Sequence, residues 1–365
     1  MRKHNAENEL AKREYLVFLR NAGGRSEATI DPVAAALHRF EAFNGYRSFK
    51  KFRREQAVSF KNHLAGQTSA ATGKPLSKAT LYANLKALRA FFEWLAREPG
   101  YRSALVYSDA AYFNVTDNDA RIATATRQRP APSLDQVRLI VETMPDRSAV
   151  ERRDRAVVAL IMLTGARDAA VASLRLKHLD LRARTLFQDA RDVKTKRAKT
   201  ITTIFFPVGE PFEAVVRDWV EDLKRDHLFG PDDPLFPATR VAVGDTGLFG
   251  AHGLERRPWA TAAPIREIFR RACAVAGLPY YNPHGLRQTL MRLAYDLNLG
   301  PRQLKAWSQN LGHESVLTSL GSYGALSGHE QADVMGAIAR QGDPKDDAAA
   351  TLTAIQAVLA RSRVT

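Results

Sequence analysis

Helical periodicity is lost in the middle of this chain. Apolar residues recur at helical spacing on both sides of that point, whereas polar residues and prolines accumulate from Tyr101 to Pro132. A chain of 365 residues is too long for one ordinary hydrophobic core and long enough for two. We therefore predict two domains, residues 1–128 and 129–346, with the boundary near residue 128.

The first domain is predicted to be helical throughout. Apolar stripes at helical spacing cover Glu7–Arg20, Asp31–Phe43, Arg54–Leu64 and Ser77–Arg97. The second stripe opens with an aspartate followed by a proline, which predicts a capped helix that begins there. The fourth stripe is the strongest, and it carries lysine and arginine on its other faces.

One stretch of the second domain has β character. β-Branched and aromatic residues at Thr185–Phe187 and Thr200–Phe206 flank the lysine-rich segment Lys194–Lys199, which predicts a hairpin with a basic tip. The Gly-, Pro- and Asp-rich residues between Phe229 and Pro258 are expected to form an irregular connection. The predicted fold class is therefore mainly α with a small antiparallel β-sheet.

The charge balance favours a polyanionic partner such as nucleic acid. The chain has 54 Lys and Arg against 39 Asp and Glu, a net charge of +15 and a pI of about 10.0. Its one cysteine, Cys273, excludes an internal disulfide and suits a reducing compartment. No secretory pattern opens the chain, and the longest apolar run, Ala156–Leu163, is too short to cross a bilayer. We expect a soluble cytoplasmic protein.

An anion site is predicted where a helix begins at Pro283. Asn282 is a good N-cap, so His284 and Arg287 fall in the first turn, three residues apart and on one face. The N-terminal end of a helix attracts anions. A second histidine, His313, stands where a helix that starts at Pro301 should end.

Residues on both sides of this stretch also have the chemistry of a phosphate site. Arg167 follows a predicted helix end, and its planar guanidinium can bind two phosphate oxygens. The hairpin lysines Lys194, Lys196 and Lys199 suit either proton donation to a leaving oxygen or sequence-independent phosphate contacts. Tyr323 lies among small residues, which gives a nucleophilic phenol the freedom to reach a phosphorus atom.

The order Arg, Lys, His-x-x-Arg, His, Tyr resembles the tyrosine recombinase, or phage integrase, family. The matching motifs are Leu163-Thr-Gly-Ala-Arg167 with Leu174-Arg-Leu-Lys-His-Leu-Asp180, the hairpin from Lys199 to Pro207, His284-Gly-Leu-Arg287, Leu311-Gly-His313, and Tyr323. The resemblance covers most of the chain and implies a helical core-binding domain, which clamps DNA, followed by an α+β catalytic domain of the DNA-breaking-rejoining type.

The resemblance also implies a mechanism. Arg167 and Arg287 would clamp the scissile phosphate, and Tyr323 would attack it to give a 3′-phosphotyrosyl link. Lys199 would protonate the leaving 5′ oxygen, His284 would assist proton transfer, and His313 would hydrogen-bond the phosphate. The covalent link preserves the phosphodiester energy, so neither a metal nor another cofactor is expected.

The chain departs from the family pattern in three places. The position three residues after Arg167, usually acidic, is Ala170, so Asp168 is a candidate to orient Arg167 instead. Tyr323 lies one residue further from His313 than is common. The hairpin length leaves the catalytic lysine open between Lys199 and Lys196, and we favour Lys199.

The expected partner is double-stranded DNA, bound by a homo-oligomer that forms a tetramer in the synapse, with accessory proteins possible and no membrane involved. The final helix, within residues 347–365, is expected to dock either on a neighbouring protomer or on its own domain. When bound to DNA, the protein would be associated with the nucleoid. The alternatives are a type IB topoisomerase-like enzyme and a DNA-binding relative that does not cleave.

Overall fold

The computed structural model describes residues 4–69, 73–125, 130–243, 247 and 249–313. The chain divides into two compact units, Met1–Arg127 and Gln128–Thr365. The α-helices of the described residues are α1 Ala6–Asn21, α2 Glu27–Phe43, α3 Arg54–Ala65, α4 Lys78–Leu95, α5 Asp117–Thr124, α6 Leu134–Thr143, α7 Ala149–Thr164, α8 Asp168–Val171, α9 Glu210–Arg225, α10 Ala263–Val275, α11 Pro283–Asp296 and α12 Pro301–Asn310. The strands are β1 Leu179–Asp180, β2 Thr185–Gln188, β3 Ile201–Ile204, β4 Pro237–Val243 and β5 Phe249–Pro258. The fold is mainly α with small antiparallel sheets, as predicted.

The first unit is built around an aromatic core. Seven phenylalanines are buried in this core, at positions 40, 49, 52, 60, 91, 92 and 113. The rings of Phe52 and Phe92 stack with their centroids 3.9 Å apart. At one edge of this core, the indole of Trp94 lies 5.0 Å from the ring of Tyr15. Burial of so much aromatic surface stabilises a unit that contains no strand among its described residues.

The sequence prediction was wrong about two details of the first unit. Helix α2 begins at Glu27, after Ser26, so Pro32 lies inside the helix and not in its first position. The segment interpreted as a linker contains a 3₁₀ helix at Tyr107–Phe113 and the helix α5. Phe113 anchors this segment because its ring is fully buried in the aromatic core, although the polar residues around it hide the pattern.

Helix α7 forms the centre of the second unit. Its run from Ala156 to Leu163 is buried on every side, which explains why it lacks a polar face. Helix α9 packs against α7, and the indole nitrogen of its buried Trp219 donates to the carbonyl of Leu235 at 2.9 Å. No helix of the described part of the chain has the length and apolarity to span a membrane.

The predicted hairpin is confirmed as part of a three-stranded sheet. The strands lie in the order β1-β2-β3, and β2 pairs antiparallel with β3 so that Leu186 faces Thr203. The loop between β2 and β3 holds the three lysines at 194, 196 and 199. Because α12 contacts β3, it lies near the strand at which this loop rejoins the sheet.

The expectation of an irregular connection before Pro258 was wrong. Strands β4 and β5 pair there as an antiparallel ribbon with two shifts of register. Val241, Val243 and Phe249 are strand-forming residues, but they stand among glycines and alternate with polar residues irregularly. The bulges break the simple alternation by which a strand is recognised in a sequence. The predicted C-terminal helix, within residues 347–365, lies outside the described residues.

Candidate active site

The site begins where α7 ends at Gly165. This residue has a left-handed φ of 60°, and a Cβ here would lie 2.5 Å from Cδ2 of Leu311 and 3.1 Å from Cδ1 of Leu290. Only glycine fits, because both the backbone angle and the space exclude a side chain. Arg167 follows two residues later and is the N-cap residue of α8.

Arg287 ties three helices together. Helix α11 begins as predicted, with the side chain of Asn282 accepting a hydrogen bond from the backbone of Gly285 at 3.1 Å. One turn later the buried Arg287 donates through Nη1 to the carbonyl of Gly165 and through Nη2 to that of Leu311, the latter at 2.7 Å. The buried guanidinium thus links α11 to the ends of α7 and α12.

His313 is positioned by the end of α12. Asn310 accepts from the backbone nitrogen of Ile204 and donates to its carbonyl, both at 2.8 Å, which fastens α12 to β3. Gly312 has a φ of 70°, and a Cβ there would lie 2.8 Å from Cδ1 of Ile201. His313 follows directly, with its Nε2 at 3.0 Å from Nη2 of Arg287.

Burial and neighbouring positive charges lower the pKa values of Arg287 and His313. Burial, and then the charge of Arg167, lower the pKa of Arg287 to about 9. Burial, followed by the charges of Arg287 and Arg167, lowers the pKa of His313 to about 4. Burial is the larger cause of both shifts, and repulsion between neighbouring positive groups adds to it, so a bound anion would oppose both.

Arg167 stands between two clefts. The first cleft, of about 170 Å³, is lined by Arg167, Lys196, Arg197, Lys199, Ile201, Gly312 and His313, and we call it the lysine cleft. The second, of about 450 Å³, is lined by Ala166, Arg167, Asp168, Arg266, Tyr280, Asn282, Pro283, His284 and Arg287, and we call it the α11 cleft. The half-buried side chain of Arg167 makes no hydrogen bond or ion pair within the described ranges, and burial lowers its pKa.

The hairpin lysines differ in their surroundings. Lys196 and Lys199 are exposed and line the lysine cleft, whereas Nζ of Lys194 donates to the carbonyl of Ala260 at 3.1 Å. The charge of Lys196 is among those that lower the pKa of His313. Between the two cleft lysines, Arg197 and Ala198 have positive φ angles of 60° and 50°. Such angles store strain in non-glycine residues, as is common at functional loops.

The structure brings together five of the six predicted site residues. Arg167, Lys199 and His313 surround the lysine cleft, and Arg167 also lines the α11 cleft with His284 and Arg287. The sixth, Tyr323, lies outside the described residues. Among the described residues, no group of three His, Cys, Asp or Glu side chains is arranged to hold a metal ion.

The hypothesis that Asp168 orients Arg167 was wrong. Oδ2 of Asp168 accepts from Nε of Arg266 at 3.0 Å, and Oδ1 accepts from the backbone of Ala169. Arg266 and its neighbour in the cleft, Tyr280, were also missed by the sequence analysis. Arg266 is 98 residues from Asp168, so no local pattern connects them.

Chemically, the arrangement is an oxyanion site. Three arginine or lysine side chains besides Arg167 line the lysine cleft, and no carboxylate is among its described lining residues. Asp168, the one acidic residue among the described lining of the α11 cleft, is already paired with Arg266. Guanidinium groups beside a helix N-terminus bind phosphate with charge-assisted hydrogen bonds.

Comparison with known proteins supports the same chemistry. Residues 133–328, more than half of the chain, match the phage integrase family. The tyrosine recombinase XerC of Mycobacterium leprae is 26% identical over 259 residues, which are 70% of this chain and 76% of that protein. The XerC of Lactobacillus delbrueckii is 23% identical over 315 residues, 84% of this chain and 91% of that protein.

Solved structures share the fold. A lambda integrase dimer bound to a COC′ core site aligns with a TM-score of 0.59 and 16% identity, over 87% of this chain and 78% of that one. The Tn1549 transposon integrase in complex with transposon right end DNA aligns with a TM-score of 0.59 and 15% identity, over 90% and 99%. The match over residues 133–328 shows that the chain belongs to the phage integrase family. It is an enzyme, a tyrosine recombinase that acts in site-specific DNA recombination through a tyrosine intermediate.

Proposed function

We propose that the residues around Arg167 cleave double-stranded DNA and rejoin it to a partner strand. Arg167 and Arg287 bind the non-bridging oxygens of the scissile phosphate, and His313 donates a hydrogen bond to it. Tyr323 attacks the phosphorus, and the 5′ oxygen leaves with a proton from Lys199, while His284 assists proton transfer. The phosphodiester energy is kept in the 3′-phosphotyrosyl bond, and a 5′ hydroxyl of the partner strand later displaces the tyrosine.

The observation that carries this proposal is the uncompensated charge at Arg167. Its guanidinium is half-buried, has no partner in the described part of the protein, and lowers the pKa of Arg287 beside it. Nε of Arg287 is also buried without a hydrogen-bond partner among those residues. A phosphate at the junction of the two clefts would supply the missing acceptors and offset the repulsion.

The assignment of roles to the other parts of the chain belongs to the same proposal. Residues 1–128 are the DNA-clamping domain, residues 129–346 the catalytic domain, and residues 347–365 a helix that docks on a neighbouring protomer. The active assembly is a tetramer on two DNA duplexes, with accessory proteins where the target requires them. The similar lambda integrase was solved as a dimer bound to a COC′ core site, which supports an assembly of several protomers on DNA.

Trapping of the covalent intermediate tests the proposal. The full-length protein is incubated with a pool of duplexes of randomised sequence, each nicked so that the cleaved fragment diffuses away and blocks resealing. The detergent-resistant adducts are isolated and their DNA is sequenced, which also yields a selected substrate. We expect an adduct from the wild type and from Tyr295→Phe, a control tyrosine in α11, and none from Tyr323→Phe.

Three results would contradict the proposal. The first is the absence of an adduct from the wild type. The second is an adduct that persists in Tyr323→Phe, which would assign the nucleophile to another residue. An adduct that leads only to relaxation of supercoiled DNA, with no exchange between two copies of the selected substrate, would instead favour a topoisomerase-like activity. DNA binding by Tyr323→Phe, measured in parallel, shows that the variant is folded.

A further inference from the structure

The α11 cleft extends beyond the residues that carry the proposed reaction. Its outer wall is formed by Arg266 on α10 and by Tyr280 between α10 and α11, and neither has a role in cleavage. The volume of about 450 Å³ is in the range of small-ligand sites. A wall of this kind beside a catalytic phosphate site needs an explanation.

Arg266 is held in place but is not satisfied. Its Nε donates to Oδ2 of Asp168 at 3.0 Å, and this is its only side-chain hydrogen bond to residues that the structure describes. A guanidinium has five N–H donors, so four remain for a ligand. Asp168 directly follows Arg167 in the chain. The ion pair between Asp168 and Arg266 therefore holds Arg266 near Arg167, the residue that the two clefts share.

Tyr280 provides an aromatic surface at the same wall. Its side chain is 43% exposed, and the guanidinium of Arg270 lies 5.3 Å from the centre of its ring. Arg270 is in turn paired with Glu267. The ring offers a flat surface against which a deoxyribose or a base can pack.

The base of the cleft is the positive end of α11. The N-cap residue Asn282 and the first two of the 14 helical residues, Pro283 and His284, all line the cleft. The helix dipole and the cation of Arg266 therefore act on the same space, and both favour an anion. The lysine cleft and the α11 cleft share Arg167, so a DNA strand whose scissile phosphate lies on Arg167 can continue along the α11 cleft.

We propose that the α11 cleft binds the phosphate adjacent to the scissile phosphate on the cleaved strand. Arg266, oriented by Asp168, is the ligand of this phosphate, and Tyr280 packs against the sugar of the nucleotide. The inference rests on the proposed function, because it assumes that the scissile phosphate lies on Arg167. Arg266 is a positioning residue: it holds the strand so that the reacting phosphate stays in line with the nucleophile.

The salt dependence of binding tests the ligand. Each phosphate contact contributes a slope of about −0.9 to a plot of log affinity against log salt concentration. With a 40-bp duplex of arbitrary sequence, we expect Arg266→Ala to reduce the magnitude of the slope by about one and Arg266→Lys to retain it. The control is Arg217→Ala, since Arg217 on α9 is 49% exposed and paired with Glu210 at 3.1 Å, similar to the pairing of Arg266. The control should leave the slope unchanged.

Neutral phosphates test the position. Methylphosphonates, which lack the negative charge, are placed one at a time around the cleaved bond of the selected substrate. At the adjacent phosphate, we expect a methylphosphonate to weaken DNA binding by the wild type several-fold. The same methylphosphonate should not weaken DNA binding by Arg266→Ala any further. At all other positions the effects of the two changes should add.

Two outcomes would overturn the inference. One is an unchanged salt slope in Arg266→Ala, and the other is additivity with the methylphosphonate at every position. A failure of the proposed function looks different, because the wild type would then form no phosphotyrosyl adduct while the salt slopes are still measured. A melting temperature equal to that of wild type excludes misfolding of Arg266→Ala as the cause of lost affinity.

Discussion

Nη2 of Arg287 lies 3.0 Å from Nε2 of His313. An arginine can only donate, so Nε2 of His313 is the acceptor and the ring proton is on Nδ1. The low pKa of His313, about 4, agrees with a neutral ring at physiological pH. Nδ1 is therefore the ring nitrogen through which His313 would donate the hydrogen bond to phosphate that we propose for it.

The first prediction follows from this neutral state. The pKa of His313 is lower in the folded protein, about 4, than its ordinary value of 6.5, so the unfolded chain binds the proton more readily. The contribution to stability is complete above pH 6.5 and is lost as the pH falls toward 4. We expect wild type to lose about 1 kcal/mol more than His313→Gln between pH 7 and pH 4.5, after a discount for partial exposure. Urea unfolding at both pH values measures this, and equal losses in the two proteins would disprove it.

The second prediction concerns the repulsion between Arg167 and Arg287. Because the charge of Arg167 lowers the pKa of Arg287, its removal should stabilise the protein in the absence of DNA. We expect Arg167→Gln to gain about 1 kcal/mol, or roughly 2–4 °C in melting temperature, and to lose adduct formation. Arg167→Lys keeps the charge and should show no gain. A lower melting temperature for Arg167→Gln would mean that the side chain has a structural role instead.

The third prediction concerns the close packing at Gly165. In Gly165→Ala the new Cβ would meet Leu311 at 2.5 Å in a left-handed backbone, and it would displace the carbonyl that accepts from Arg287. We expect a loss of about 2–4 kcal/mol in the free energy of unfolding, together with loss of cleavage. The control is Gly277→Ala, which has a φ of 68° but nothing within 4 Å of the new Cβ. It should cost about 1 kcal/mol and leave cleavage intact, and similar costs for the two variants would contradict the packing argument.

The fourth prediction assigns the general acid. A sulfur atom in place of the 5′ bridging oxygen makes a leaving group that needs no proton, since a thiol is far more acidic than an alcohol. We expect Lys199→Ala to cleave the selected oxygen substrate at least 100-fold more slowly than wild type does. On the sulfur substrate, Lys199→Ala and wild type should cleave at similar rates. If the sulfur does not rescue Lys199→Ala, the same two substrates applied to Lys194→Ala and Lys196→Ala identify the donor.

The sequence predicted those parts of the site that depend on local patterns. The N-cap of Asn282 and the helix that starts at Pro283 place His284 and Arg287 in one turn, and capping rules are local. The end of α7 at Gly165 could also be predicted, because a left-handed residue at the end of a helix is usually glycine. The order of the motifs along the chain then identified the family.

The remaining features depend on contacts between distant residues. Asp168 was expected to turn toward Arg167, but α10 brings Arg266 to it, and no spacing in the sequence encodes that approach. The strands β4 and β5 were missed because bulges and glycines interrupt their alternation. Which lysine serves the site depends on the shape of a loop with two left-handed residues, Arg197 and Ala198, where propensity favours glycine or asparagine.

The aromatic core of the first unit contains a tryptophan whose fluorescence can be followed separately from that of the second unit. The chain has four tryptophans, and only Trp94 falls within residues 1–127, while Trp219, Trp259 and Trp307 belong to the second unit. The indole of Trp94 is 5.0 Å from Tyr15, so its fluorescence will change when this core opens. A variant that keeps only this indole would therefore report by fluorescence on the unfolding of the first unit, separately from changes in the second unit.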